Sequence, residues 1–216
     1  MVSFREVLQM DEWENHLQKG YITACDRAQG LFAKQDPFMV SEMMQVPFNQ
    51  EESVFLLNFM GKDTHITYPL GQVLEMSGNP SPVIHRVLIL HYLNCQYPQN
   101  VTGNLVSYRE IKDGQVYYPT FYKRAVQPFI NAFGYDTTRF ANLVSELGWK
   151  KERYGTVSAT CRIFPRIPVT YILWEGDDEI SPSGTILYDE SASSILPSED
   201  LVMIASLPVY QLLKAK

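Results

Sequence analysis

Between Ile167 and Leu213 the chain has no lysine, no arginine and no histidine. The same stretch carries eight carboxylates: Glu175, Asp177, Asp178, Glu179, Asp189, Glu190, Glu199 and Asp200. Acidic and basic side chains balance over residues 1–166, so the net charge of −6 arises in the last quarter. An acidic, otherwise apolar segment must be solvated, paired from elsewhere or occupied by a cation. Charge is scarce overall, at 19% of residues against a usual figure of about a quarter. A basic stripe able to displace counterions is missing, which argues against nucleic acid as a partner. Long apolar runs are missing too. None approaches the roughly 18 residues a bilayer crossing requires, so no membrane partner is expected.

Cysteine is sparse. Three are present, an odd number with no C-x-x-C, which points away from a disulfide framework and toward a reducing cytoplasm. The Asn100-Val101-Thr102 sequon is then chemically silent. The first residues lack a basic start running into an apolar stretch, so a secretory leader is not expected. G-x-G-x-x-G, a Walker loop, G-x-S-x-G and H-E-x-x-H are all absent, which leaves no well-marked catalytic chemistry.

What is present is apolar and aromatic: 45% and 12% of 216 residues. That suffices for one well-buried core and a single domain over residues 1–216, and it excludes disorder. Apolar spacing predicts helices over 4–19 and 23–34, and a short one from Pro37 to Met44 capped by Asp36. Residues 53–60 and 65–68 read as a hairpin turned at Gly61-Lys62, followed by a short strand over 73–75. The run 83–95 is apolar nearly all round, as a central buried helix should be. An extended stretch is expected over 103–111. Beyond it lie a helix over 119–133 closed by a Gly134 cap, and another to Leu147 capped by Thr137 or Thr138. Strands over 157–164 and 168–174 make a second hairpin, with a further strand over 185–188. The final helix starts at Ser198-Glu199-Asp200, breaks at Pro208 and resumes to Leu213. The class is α+β: an antiparallel sheet built from two hairpins with helices on one face.

Four groups of residues are candidates for chemistry. Asp177, Asp178 and Glu179 in a turn, with Asp189 nearby, offer oxygen ligands for Ca²⁺ or Mg²⁺, although not in an EF-hand register; a solvated loop or a face for a basic partner explains them as well. Tyr108, Arg109, Tyr118, Phe121 and Arg124 concentrate rings and guanidinium groups, suiting an anionic or aromatic ligand, a protein interface or plain packing. Arg86, near the start of an apolar helix, must pair, reach solvent or bind an anion. His91 and Cys95 share a helix face, a pattern that fits core packing better than a metal site needing four ligands.

Several segments together resemble an uncharacterised family, domain of unknown function 3786, met mainly in anaerobic bacteria and archaea. They are Ile89–Leu93, Thr102–Glu110, Tyr118 with Phe121–Arg124, Phe164–Pro168, Trp174–Glu179 and Ile186–Asp189. The resemblance implies no activity, cofactor or catalytic residue. It directs attention to Arg166 and Trp174 alongside Asp177, Asp178, Glu179 and Asp189. Some members look fused to a four-cysteine iron–sulfur module, absent here, which implies a neighbourhood near anaerobic one-carbon or corrinoid metabolism. The expectation is a non-enzymatic protein binding a cofactor-like ligand or accessory to that metabolism. A divalent-metal enzyme and a docking subunit with an acidic face are the alternatives.

Overall fold

The computed structural model describes residues 19–215; the helix expected over 4–19 lies almost wholly outside them. Among the described residues the chain divides into two compact units, one of residues 19–57 and 63–94, the other of 58–62 and 95–215.

In the first unit, helix α1 is described over 19–32. Helix α2 (Pro37–Met44) begins as its sequence dictates: the Asp36 carboxylate accepts from the amides of Phe38 and Met39, and Pro37 fills the first turn, where its missing N–H is no loss. Four antiparallel strands follow in spatial order β1 (Phe48–Asn49), β2 (Val54–Phe59), β3 (Lys62–Thr67) and β4 (Val73–Glu75), with the end of β2 and the start of β3, residues 58–62, counted in the second unit. Alternation along β2 buries Phe55, Leu57 and Phe59 and leaves Leu56 and Asn58 exposed, the period-2 signature of a half-buried strand. Helix α3 (Val83–Leu93) buries Val87, Leu88, Ile89, Leu90, Tyr92 and Leu93. Nearly consecutive burial means that α3 has neighbours on all sides, and each such side chain contributes about 1.5–3 kcal/mol. The Tyr92 hydroxyl donates to the Met44 carbonyl at 2.7 Å, tying α3 to α2.

The second unit is built on a five-stranded antiparallel sheet in the order β5 (Leu105–Ser107), β9 (Ser183–Asp189), β8 (Ile167–Trp174), β7 (Val157–Phe164) and β6 (Lys150–Lys151). The α+β class holds, and the two hairpins fall in separate sheets. Over the second sheet run α4 (Gly114–Phe121), a π-helical turn (Tyr122–Val126), α5 (Gln127–Phe133), α6 (Thr137–Glu146) and α7 (Ser198–Lys214). In the π turn the Gln127 amide reaches back five residues to the Tyr122 carbonyl, immediately before Pro128. A proline ring would collide with the carbonyl four residues earlier in a regular helix, and the wider turn relieves this.

Three buried phenols fasten α7 to this unit. The hydroxyls of Tyr108, Tyr188 and Tyr171 donate to the carbonyls of Ser198, Leu201 and Ala205 at 2.8, 2.6 and 2.8 Å. Acceptors spaced by three and four residues share one helix face. Pro208 does not break α7, which runs through it. Nor does Gly134 adopt a left-handed cap, since its φ is −65°. It is small because a Cβ there would lie 2.5 Å from Pro182. Helix α6 is capped by Asp136, whose carboxylate accepts from the Arg139 amide at 2.9 Å, rather than by a threonine. The stretch over 103–111 holds only the three residues of β5 before a 3₁₀ turn (Tyr108–Glu110). Its cause is a capping box: the amide and hydroxyl of Ser107 both donate to Glu110 Oε2.

Candidate functional site

The candidate residues of the second sheet separate to its two ends. Arg166 sits in the β7–β8 turn and Asp189 closes β9, whereas Trp174 ends β8 beside Ser183 at the start of β9. Six residue steps of extended strand, about 20 Å, lie between Ser183 and Asp189. Asp189 therefore does not join Asp177, Asp178 and Glu179 in one ligand set. Among the described residues no three His, Cys, Asp or Glu side chains group as a metal site.

At the first end, Asp189 and Arg166 clamp the segment 95–104. The Asp189 carboxylate, 1% exposed, accepts from the amides of Thr102 and Gly103, the Thr102 hydroxyl, and the amide and hydroxyl of Ser191. Burial pushes its pKa up, but the hydrogen bonds from Ser191, Thr102 and Gly103 outweigh burial and hold it below the ordinary value. Arg166 Nη2 donates to the Gln99 carbonyl at 3.1 Å and to Asn100 Oδ1 at 2.8 Å. The Gln99 amide donates to Ser194 Oγ at 2.9 Å. Cys95 falls beyond the end of α3, which closes at Leu93. Its thiol lies 3.4 Å from the Ser194 carbonyl. Burial raises the thiol's pKa, partly offset by a backbone hydrogen bond and by the charge of Arg166.

The aromatic-basic stretch does not form a groove lined by all its members. Tyr108 and Phe121 stack at 4.4 Å and 7° and are buried, with Tyr188 about 6 Å from each ring. They are core. On the surface the Arg109 guanidinium lies 3.8 Å above the ring of Tyr118, a cation–π contact worth about 0.5–1 kcal/mol where exposed. Arg124 points Nη1 at the sulfur of Met203, 3.4 Å away. The middle of the chain and its acidic portion do meet, through rings, through β5–β9 pairing and through a hydrogen bond from Tyr117 to Glu199 that lowers the carboxyl's pKa. Arg86 belongs to the first unit, where its Nε is buried without an acceptor and its charge acts on the Cys25 thiol.

At the second end, the β8–β9 connection is shaped by close backbone approaches. The Gly176 amide donates to the Gly134 carbonyl, the Thr156 amide to that of Leu173, and the Asp177 amide to that of Ile180. Asp177 Oδ1 accepts from the amides of Ile180 and Glu179 at 2.7 and 2.9 Å, and these bonds lower its pKa. A Cβ on Gly176 would sit 2.5 Å from Pro182 and 2.9 Å from the ring of Tyr135. Around this fixed turn Trp174, Tyr135 and Ile180 are 44%, 67% and 66% exposed, and Tyr154 is also exposed. Glu175, Asp178 and Glu179 project with them into solvent. Sequence reasoning missed Tyr135, Tyr154 and Ile180. For Tyr135 and Tyr154 the available signal was their position beside Gly134 and Gly155, glycines that mark close approach; Ile180 had none.

These features define a two-unit α+β protein in which buried polar side chains hold loops and helices, while large apolar side chains surface at one acidic end. The chain belongs to the family described as a domain of unknown function, DUF3786, which it matches over residues 36–211. No curated protein and no solved structure matches it. Among the described residues, no helix is long and apolar enough to cross a membrane.

Proposed function

We propose that this protein is a non-enzymatic accessory protein that works by docking, and that a basic partner meets the acidic end of the second sheet. The observation that carries the reading is exposed Tyr135, Trp174 and Ile180 set among Glu175, Asp178 and Glu179 on a turn held by its own backbone. Aromatic anchors within a charged rim are the composition of a protein-binding hot spot. The partner's sign follows from the absence of any cation between Ile167 and Leu213. Carboxylates of one sign would also speed encounter with a cationic surface. The reading assumes a reducing cytoplasm, supported by three free, buried cysteines. A place beside anaerobic one-carbon metabolism belongs to the same proposal and rests on family resemblance alone.

The test uses lysine- and arginine-rich peptides bearing an apolar side chain at varied positions, titrated against the protein at several salt concentrations. Binding should weaken as salt rises. Trp174→Ala and the pair Asp178→Asn with Glu179→Gln should each weaken it at least tenfold, with the melting midpoint held. Asp177 is left intact because it builds the turn. Peptide affinity indifferent to all three changes would refute the reading.

A further inference from the structure

We propose that Arg166 is an anion-binding residue, holding a small oxyanion group, carboxylate or phosphate-like, beneath the segment 95–104. The site is independent of the docking end, lying at the opposite end of β8.

Arg166 is 7% exposed. Both of its protein acceptors, the Gln99 carbonyl and the Asn100 side-chain oxygen, are neutral and both sit on Nη2. Nε is buried with no acceptor at all. Among the described residues no carboxylate forms an ion pair with this guanidinium. The buried acid at the same end of the sheet, Asp189, has its oxygens occupied by Thr102, Gly103 and Ser191. A buried cation with only neutral partners is expensive to keep. A planar fork of donors is the arrangement that oxyanions complete with two parallel hydrogen bonds. Gln99 and Asn100, which accept from the guanidinium, are themselves exposed. The Cys95 thiol, which feels the charge of Arg166, supplies no negative partner while it stays protonated. The hydrogen-bonding roles match an anion: it supplies Nε with the acceptor it lacks, and Asn100 can turn its amide toward the incoming oxygens.

The test is thermal melting with inorganic phosphate and, separately, acetate, each against chloride at equal ionic strength. Wild type should show a saturable rise of the midpoint with at least one of them, reaching roughly 5–11 °C at a hundredfold excess over Kd for a chain of this size. A response to phosphate alone identifies a tetrahedral ligand group, and one to acetate alone a carboxylate. Arg162→Gln, which removes an exposed guanidinium bonded to the Pro165 carbonyl, should leave the response intact, and Arg166→Gln should abolish it. Where Arg166→Gln does not fold, Arg166→Lys keeps the charge without the fork and should bind at least tenfold more weakly. A wild-type response no larger than that to chloride, a response surviving Arg166→Gln, or unchanged affinity in Arg166→Lys overturns the proposal.

Discussion

Replacing the three buried phenols by phenylalanine tests how α7 is held. Tyr108, Tyr188 and Tyr171 each lose one hydroxyl that donates to a carbonyl of that helix. A carbonyl inside a helix already accepts from the amide four residues on, so no acceptor is orphaned. Each substitution should therefore cost about 0.5–1.5 kcal/mol, or roughly 1–6 °C of melting midpoint for a chain this long. The rings of Tyr108 and Tyr188 lie 6.1 Å apart, so the double variant should depart from additivity. Alkali gives a second readout. Burial, then the charge of Glu199, pushes the Tyr108 pKa up to about 12, and burial drives Tyr171 and Tyr188 well above the ordinary value. A phenol whose folded pKa is raised binds its proton more tightly when folded. Its contribution is complete below the unfolded value of about 10 and is lost as pH rises from there toward the folded value. For Tyr108 the rise from about 10 to about 12 corresponds to roughly 2–3 kcal/mol. Urea titrations between pH 8 and 12 should show wild type losing stability across that window, with a shallower loss in Tyr108→Phe. Phenylalanine variants as stable as wild type at neutral pH, with an unchanged alkaline slope, would refute the account.

Asp189→Asn should cost about 2–4 kcal/mol, because an amide presents donors where five N–H and O–H groups already point inward and a buried charged hydrogen-bond network is broken; hydrogen exchange in residues 99–104 reads it. In wild type the depressed carboxyl contributes stability above the unfolded aspartate value of about 3.9, and that contribution is lost as pH falls through the lower folded value, so protection of the Thr102 and Gly103 amides should vanish in acid before global unfolding. Melts with Ca²⁺, Mg²⁺ or chelator should superimpose, since Asp189 lies a strand's length from Asp177, Asp178 and Glu179; a shift of several degrees with either ion would reinstate a metal site.

Local order was legible where one physical rule dominated. The strand Val157–Phe164 has the bounds its alternation predicts, as does Val73–Glu75, and the nearly all-apolar α3 is buried along most of its length as expected. The 3₁₀ turn after β5 was also written in the chain, as Ser107-x-x-Glu110, but the β-type residues before it masked the signal. Pro208 illustrates the reverse case: a helix breaker by propensity is carried because α7 buries Leu201, Ile204, Ala205, Val209 and Leu212 around it, and packing overrides propensity. The division of the hairpins between two sheets depends on long-range pairing, which alternation within each hairpin leaves open. Site residues were harder, because one side-chain type serves opposite ends. Tyr108 and Phe121 carry the composition of a ligand groove and instead stack in the core, while Asp189, read as a possible ligand for a cation, is spent on backbone amides.

One of the two outermost strands of the second sheet, β6, is two exposed lysines long, and Lys150 is held by Glu152 at 2.9 Å. A boundary so brief and so positively charged gives a neighbouring chain almost no backbone to add to, which guards against fibrillar growth. Exchanging both lysines for valine would leave the monomer folded and remove that guard.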